Sequence, residues 1–386
     1  MKYNPSKPHN SLLALPPNIE LETKTILKAS IAANRALAKL DGSITQLPNP
    51  AVLIDTIGLQ EAKASSEIEN IITTHDELYQ SAVAERKIDN PATKEVLFYK
   101  EALWYAYEQV KKKGIITTNL CIKIVQQLKQ NQAGIRVVPG TQIKNDRSGE
   151  VVYTPPEGET IIRNKLQELE QFINISDDGL DPLIKMALVH YQFEAIHPFA
   201  DGNGRTGRIL NIIYLVQQGL LSLPVIYLSR YVIEHKAEYY RRLREVTEKE
   251  AWQEWILYMI RAVEATSIHT LSKIESISEA MIKVGKTIER KVPKIYSKDL
   301  VEVLFQRPYC KRQFLERAGI AKLKTAGSYL AELEKIGVLK SIQIGKEKLY
   351  LNTELLAILK SELMQALHYP FCKGLTSARR QTNCYL

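Results

Sequence analysis

A chain of 386 residues exceeds the usual size of one domain, so two or three are expected. Its 45% hydrophobic and 25% charged content is ordinary for a soluble globular protein, and no stretch approaches the roughly 18 to 20 uninterrupted apolar residues of a membrane helix. The net charge of +9 is uneven, because 15 Lys and Arg against 7 Asp and Glu fall between Gly285 and Leu349.

The N-terminal MKYNPSKPHNSLLALPP holds one short apolar run broken by prolines, without a small-residue cleavage site, and does not read as a signal peptide. Helical spacing then begins: Ile19, Ile26, Leu27, Ile31, Leu37 and Leu40 predict a helix from Asn18 to Lys39, closed by Asp41-Gly42. Further helices are predicted from Val52 to Ser65, from Pro91 to Lys112, and from a cap at Thr118 through Gln130. The stretch Gly134 to Pro156 is rich in β-branched residues, glycine and proline, and predicts a β-hairpin flap. Helices resume at Thr160 to Ile173 and Pro182 to Ile196. Ile209 to Gln218 is almost wholly apolar, the mark of a buried central helix. Tyr231 to Thr247 and Ala251 to Ala280 complete the helical part.

A Lys-rich linker is expected at Val284 to Pro293. Beyond it, helices at Ser297 to Gln306, Lys311 to Ala318 and Lys322 to Ile336 precede a hairpin turning at Gly345-Lys346. Three helices and a two-stranded wing describe a winged helix-turn-helix. In its last helix Leu323, Ala326, Leu330 and Leu333 are expected to face the core, leaving Lys324, Thr325, Ser328 and Tyr329 for a groove. DNA is the first acidic partner to consider there; a protein docking module or a merely solvated basic surface is the alternative. The tail from His368 is polar and basic. Cys121, Cys310, Cys372 and Cys384 form no CxxC pair, so neither disulfides nor a zinc knuckle are indicated, and the chain reads as cytoplasmic.

The chemistry concentrates in His197-Pro-Phe-Ala-Asp-Gly-Asn-Gly-Arg-Thr-Gly-Arg208. Pro198 biases His197 away from helical geometry, so the preceding helix should end there. Gly202 and Gly204 let the backbone fold tightly and offer N–H groups to an anion. Arg205 and Arg208, three apart, point to one side of the first helical turn and can fork onto phosphate oxygens. Asp201 can hold Mg²⁺, and His197 suits a general base acting on a hydroxyl. His190, Glu194 and His197 have metal-like spacing, but Pro198 pulls His197 off the helix and no third ligand follows. A core histidine at position 190 and a structural Glu194 are the simpler readings.

This loop resembles the Fic family signature H-x-F-x-[DE]-G-N-G-R-x-x-R and fills every position. The resemblance extends to HYQFEAIHPF before it, ILNIIYL after it and YTPPEG at the flap end. It implies a mainly α, Fic-type helical bundle: an accessory domain at residues 1–110 and a catalytic core at 111–283. A linker at 284–292, a winged helix at 293–367 and a tail at 368–386 would follow. The implied activity is transfer of AMP from ATP to Ser, Thr or Tyr hydroxyls of target proteins or of the chain itself. His197 would be the base, and Asp201 would carry Mg²⁺. Gly202, Asn203 and Gly204 would form the anion cradle, and Arg205 and Arg208 would hold the outer phosphates. Members that phosphorylate typically carry Lys where Gly204 stands. Ser65-Ser-Glu-Ile-Glu69-Asn70 resembles the family's inhibitory motif [ST]-x-x-x-E-[GN], in which Glu69 would block the phosphate seat at Arg208, beginning from Ser65. The same glutamate could instead serve removal of AMP, and a homodimer is the family expectation. A regulator that senses ATP and binds DNA, and a nucleotide other than ATP, stay open at this stage.

Overall fold

The computed structural model describes residues 3–47, 49–83, 90–145, 148–344 and 347–361. Helices dominate these residues, as expected, with two small antiparallel sheets between them. None of the helices described is long and apolar enough to cross a membrane.

Helix α1 (Lys24–Gln46) begins where the Thr23 hydroxyl accepts a hydrogen bond from the Ile26 amide at 3.4 Å, later than the apolar spacing suggested. It also runs through Asp41-Gly42, the expected stop. A glycine inside a helix costs about 1 kcal/mol. Burying Leu40 and Ile44, both fully enclosed, stabilises by roughly 1.5–3 kcal/mol each, so packing overrides the local signal. Helix α2 (Ala51–Ile68) follows, then α3 (His75–Val83), a short helix absent from the sequence expectations. Helix α4 (Pro91–Lys113) has the anticipated ends: the Asn90 side chain accepts from the Ala92 amide at 2.9 Å, and Gly114 closes it in the left-handed region at φ 73°. Helix α5 (Thr118–Lys129) is capped by Thr117, one residue earlier than read, through a 3.2 Å bond from the Leu120 amide.

The flap is a short hairpin, β1 (Ile143–Lys144) against β2 (Val151–Tyr153). Helix α6 (Glu159–Asn174) leads to the central pair, α7 (Pro182–Ile196) and α8 (Asn203–Gln217). Helix α7 is buried on nearly every face, its polar Lys185, His190 and Gln192 included, so it is a core helix. The helix expected from Tyr231 to Thr247 is two: α9 (Leu228–Glu234) and α10 (Lys236–Lys249), broken at His235, whose backbone leaves helical geometry.

Helix α11 (Trp252–Lys291) is 40 residues long, with α1 packed along it. Its Trp255 is fully buried and donates from Nε1 to the Ala187 carbonyl of α7 at 2.8 Å. The linker expected at 284–292 is therefore corrected: almost all of it is the last turns of α11. Val284, Gly285 and Ile288 are buried there while Lys286, Arg290 and Lys291 face solvent. The Lys-rich composition marked one wet face of a helix and not a flexible joint.

After a 3-10 turn (Pro293–Ile295) come α12 (Lys298–Gln306), β3 (Tyr309–Cys310), α13 (Arg312–Arg317) and α14 (Leu323–Lys335). Strands β4 (Lys340–Ile344) and β5 (Glu347–Leu351) and helix α15 (Thr353–Lys360) complete the unit. The sheet has order β3-β5-β4, so a third strand joins the expected hairpin. Ala326, Leu330 and Leu333 face inward as read, but Leu323, the first residue of α14, is 40% exposed. The turn at Gly345-Lys346, the tail from His368, Cys372 and Cys384 lie outside the described residues. The unit rests on the N-terminal helices. Arg307 donates to the Asp55 carboxylate of α2 at 2.9 and 2.8 Å, and the Tyr309 hydroxyl donates to Asp76 of α3 at 3.1 Å. Lys273 of α11 donates to the carbonyls of Ile358, Leu359 and Ser361 at the end of α15.

Candidate active site

The turn between α7 and α8 holds the signature loop. Helix α7 ends at His197, which takes the left-handed conformation at φ 48° with Pro198 next. Helix α8 starts at Asn203, not at Ile209, with Gly202 as its cap at φ 84°. The sequence reading placed the start of α8 late because the polar first turn hides the apolar period. Gly204, Arg205 and Arg208 thus stand on the first two turns of α8, where backbone N–H groups and the helix dipole favour an anion.

The Asn203 side chain closes this loop from inside. Its Oδ1 accepts from the Phe199 amide at 2.9 Å, and its Nδ2 donates to the Phe199 carbonyl at 2.8 Å. Both polar ends are used on the backbone, so the side chain holds the loop's shape. A second brace is Arg136, which no motif marked. Its Nε donates to the His197 carbonyl at 2.8 Å, Nη2 donates to the Pro156 carbonyl at the flap end, and its own amide donates to the Pro198 carbonyl at 2.9 Å.

His197 is half-buried with its Nδ1 enclosed, and desolvation together with the Arg136 guanidinium pushes its imidazole down to about 4. The ring is therefore neutral at physiological pH and free to accept a proton. His190 is a core histidine, as read: its Nε2 meets the Tyr239 hydroxyl at 2.8 Å and burial presses it to about 3. Glu194 is enclosed, and burial raises its carboxyl to about 7. Among the described residues no group of three or more His, Cys, Asp or Glu is placed to hold a metal ion.

Arg208 and Arg205, each 2% exposed, carry different partners. Arg208 donates from Nε to the Ser65 hydroxyl at 2.7 Å, and from Nη2 to the Ser65 carbonyl at 2.8 Å and to the Glu69 carboxylate at 2.7 Å. Ser65 lies on the last turn of α2, and Glu69 caps that helix. Burial alone would raise the Glu69 carboxyl, but Arg208, with help from Arg205 and Lys236, holds it below its usual range and ionised. Glycine at 204 leaves room for the Glu69 carboxylate in this position: a Cβ there would sit 2.3 Å from Glu69 Oε1, and the carboxylate would have to shift.

Arg205 donates from Nη1 to Glu95 of α4 at 2.6 Å, and its buried Nε has no protein partner among the described residues. Asp201 is 63% exposed, with Lys129 of α5 at 2.6 Å and Arg205 at 3.9 Å. Burial raises its carboxyl, and Lys129, Arg205 and the Gly202 amide outweigh it, so Asp201 is ionised. One accessible, ionised carboxylate fits Mg²⁺, which uses few protein ligands and completes its shell with water and phosphate oxygens. Glu95 and Lys129 escaped the sequence reading because each lies on an ordinary amphipathic helix, and only packing of α4 and α5 on α8 brings them here.

Three family models match the chain: "Fic/DOC family N-terminal" at residues 27–108, "Fic/DOC family" at 115–215 and "Protein adenylyltransferase SoFic-like, C-terminal domain" at 281–355. The chain is 26% identical over 200 residues to the probable protein adenylyltransferase aq_aa38 of Aquifex aeolicus, covering 50% of this chain and 57% of that protein. To the protein adenylyltransferase fic-1 of Caenorhabditis elegans it is 27% identical over 134 residues, 34% of this chain and 25% of the relative. The chain thus spans little more than half the length of the first relative and a quarter of the second. In fold it is similar to a Fic family protein from Desulfovibrio desulfuricans, with TM-score 0.55 at 17% identity over 87% of this chain and 98% of that one. Fic-1 (residues 134–508) of C. elegans gives 0.51 at 19% identity, over 66% and 74%.

Replacing Asn203 with Ala leaves the enclosed Phe199 amide and carbonyl without partners. We expect a loss of about 2–4 kcal/mol in stability, read as a lowered midpoint in urea unfolding followed by fluorescence.

Proposed function

The chain belongs to the Fic/DOC family, and we propose that it is a protein adenylyltransferase that moves AMP from ATP onto hydroxyl groups of target proteins and of itself. The observation that carries the reading is the complete signature loop folded across the α7–α8 turn. There His197 ends one helix and both arginines begin the next. His197, neutral in its half-buried setting, takes the proton of a Ser, Thr or Tyr hydroxyl as the oxygen attacks the α-phosphorus. The bond from that phosphorus to the bridging oxygen of the β-phosphate breaks, pyrophosphate leaves, and AMP stays on the protein as a phosphodiester. Arg205 and Arg208, with the amides at the start of α8, receive the charge of the outer phosphates. Asp201 would hold Mg²⁺, which when bound would further neutralise the phosphate charge.

The Glu69 contact supports an autoinhibited resting state. The Arg208 fork takes either the Glu69 carboxylate or a phosphate, since both need the same N–H groups. Glycine at 204 supports AMP transfer over phosphorylation, because members of the family that phosphorylate typically carry Lys at that position.

The C-terminal unit supports a second role. Its strand order β3-β5-β4 beneath three helices is that of a winged helix, and Lys322, Lys324, Thr325 and Ser328 are exposed around the start of α14. With the basic excess of this segment, the reading is a DNA-docking helix.

Incubation with ATP labelled on the α-phosphate, in parallel with γ-labelled ATP, tests the first reading. Label retained from the α-position alone, raised at least tenfold by Glu69→Gly and lost in His197→Ala, is expected. Label from the γ-position would mean a kinase. No label with nucleotide binding intact would favour a nucleotide-sensing regulator or another nucleotide. In the Glu69→Gly background, the acid limb of the rate against pH should lie near the His197 value of about 4 and not near 6.5, giving a flat rate from pH 6 to 8 on that side; a fall centred at 6.5 would sink the buried-base reading. For the DNA role, Lys322→Ala with Lys324→Ala should shallow the slope of log affinity against log salt by about 2. A wild-type chain without measurable duplex binding by fluorescence anisotropy at low salt would exclude it.

A further inference from the structure

One cluster at the site is left unused by the signature loop's own chemistry: Lys129 on α5 and Glu95 on α4. The Lys129 ammonium lies 2.6 Å from one Asp201 oxygen and 3.6 Å from Glu95 Oε2. That same Glu95 oxygen accepts from Arg205 at 2.6 Å. Two cations and two carboxylates therefore alternate along the mouth of the site. The Lys129 stem packs against Gly202, about 3.9 Å from where a Cβ would project, which aims the ammonium at Asp201. The backbone position of Lys129 is fixed by the last turn of α5, closed by Gln130 in the left-handed region.

We propose that Lys129 is a tethered cation seated on the metal carboxylate, which steps across to Glu95 when a divalent cation takes Asp201. This inference rests on the reading of Asp201 as the Mg²⁺ ligand. A divalent ion bonded to Asp201 and an ammonium 2.6 Å from the same carboxylate repel one another, and one must leave. Lys129 has a destination that costs little. Glu95 is already within ion-pair distance, so the ammonium changes partner without crossing open solvent, and its flexible stem permits the swing. Glu95 differs from Glu69 in this. Glu69 sits on the Arg208 fork and competes with phosphate, whereas Glu95 stands on α4, packed on α8, and stays beside Arg205 throughout. The site is thus restrained twice, once at the phosphate seat by Glu69 and once at the metal seat by Lys129. The second restraint sets how much Mg²⁺ the chain needs before nucleotide is held for transfer.

The test measures binding, not turnover. In the Glu69→Gly chain, calorimetry with α,β-methylene ATP in Mg²⁺ and in chelator gives the gain in nucleotide affinity that the metal confers. Lys129→Met keeps the stem on Gly202 and removes the charge, and it should raise that gain about two- to fivefold, the scale of a partly exposed ion pair. Lys129→Arg, which keeps a cation, should leave the gain at the parent value. Asp201→Asn should abolish it. An unchanged or smaller gain in Lys129→Met, with Asp201→Asn still abolishing it, overturns the role of Lys129 alone. A gain that survives Asp201→Asn overturns the metal assignment and this inference together.

Discussion

The site depends on where the charge of one buried guanidinium goes. Arg208 is enclosed between α8 and the end of α2, and a desolvated cation must have an anion beside it. Glu69 supplies that anion in this structure, with the Ser65 hydroxyl and carbonyl completing the fork. A phosphate brought by a nucleotide could satisfy the same N–H groups, but not while the carboxylate is there. Glu69 and an incoming phosphate would therefore compete for one residue, with no long-range device between them.

The loop that presents Arg208 is rigid for local reasons. A helix ends at His197, and a new one begins at Asn203 after a turn that needs the left-handed backbone of Gly202. The Asn203 amide locks Phe199 in place, while Arg136 ties the His197 and Pro198 carbonyls to the flap end. Because the two helices flanking the turn are buried on nearly every face, the loop inherits their stiffness. The result is an imidazole held neutral by burial at one end and two guanidinium groups at the other, with little reorganisation left for the reaction itself.

Helix α2 connects this site to the rest of the chain. Its C-terminal end brings Ser65 and Glu69, and its body carries Asp55, to which Arg307 of the C-terminal unit donates twice. Helix α11 runs from the core into that unit without a break, and Lys273 holds the end of α15 against it. The N-terminal helices, the central helices and the C-terminal unit thus meet around the helix that ends at Glu69.

The sequence alone determined the helical character, the flap, the central buried pair and every member of the signature loop. These are local properties: apolar period, cap residues, and a twelve-residue run whose chemistry needs no distant partner. The Glu69–Arg208 pair was legible only as a motif; that Glu69 reaches Arg208, 139 positions away, required α2 to pack beside α8. Glu95, Lys129 and Arg136 were invisible because their helices and loop look ordinary until folding sets them around Asp201, Arg205 and His197. Boundaries failed where packing overrode local signals. Helix α1 continued through Gly42 to bury Ile44, and α11 continued through a Lys-rich stretch to bury Ile288. Local chemistry names the groups that react, and only the tertiary structure decides which charges stand beside them, because a charge pair is fixed by distance in space and not along the chain.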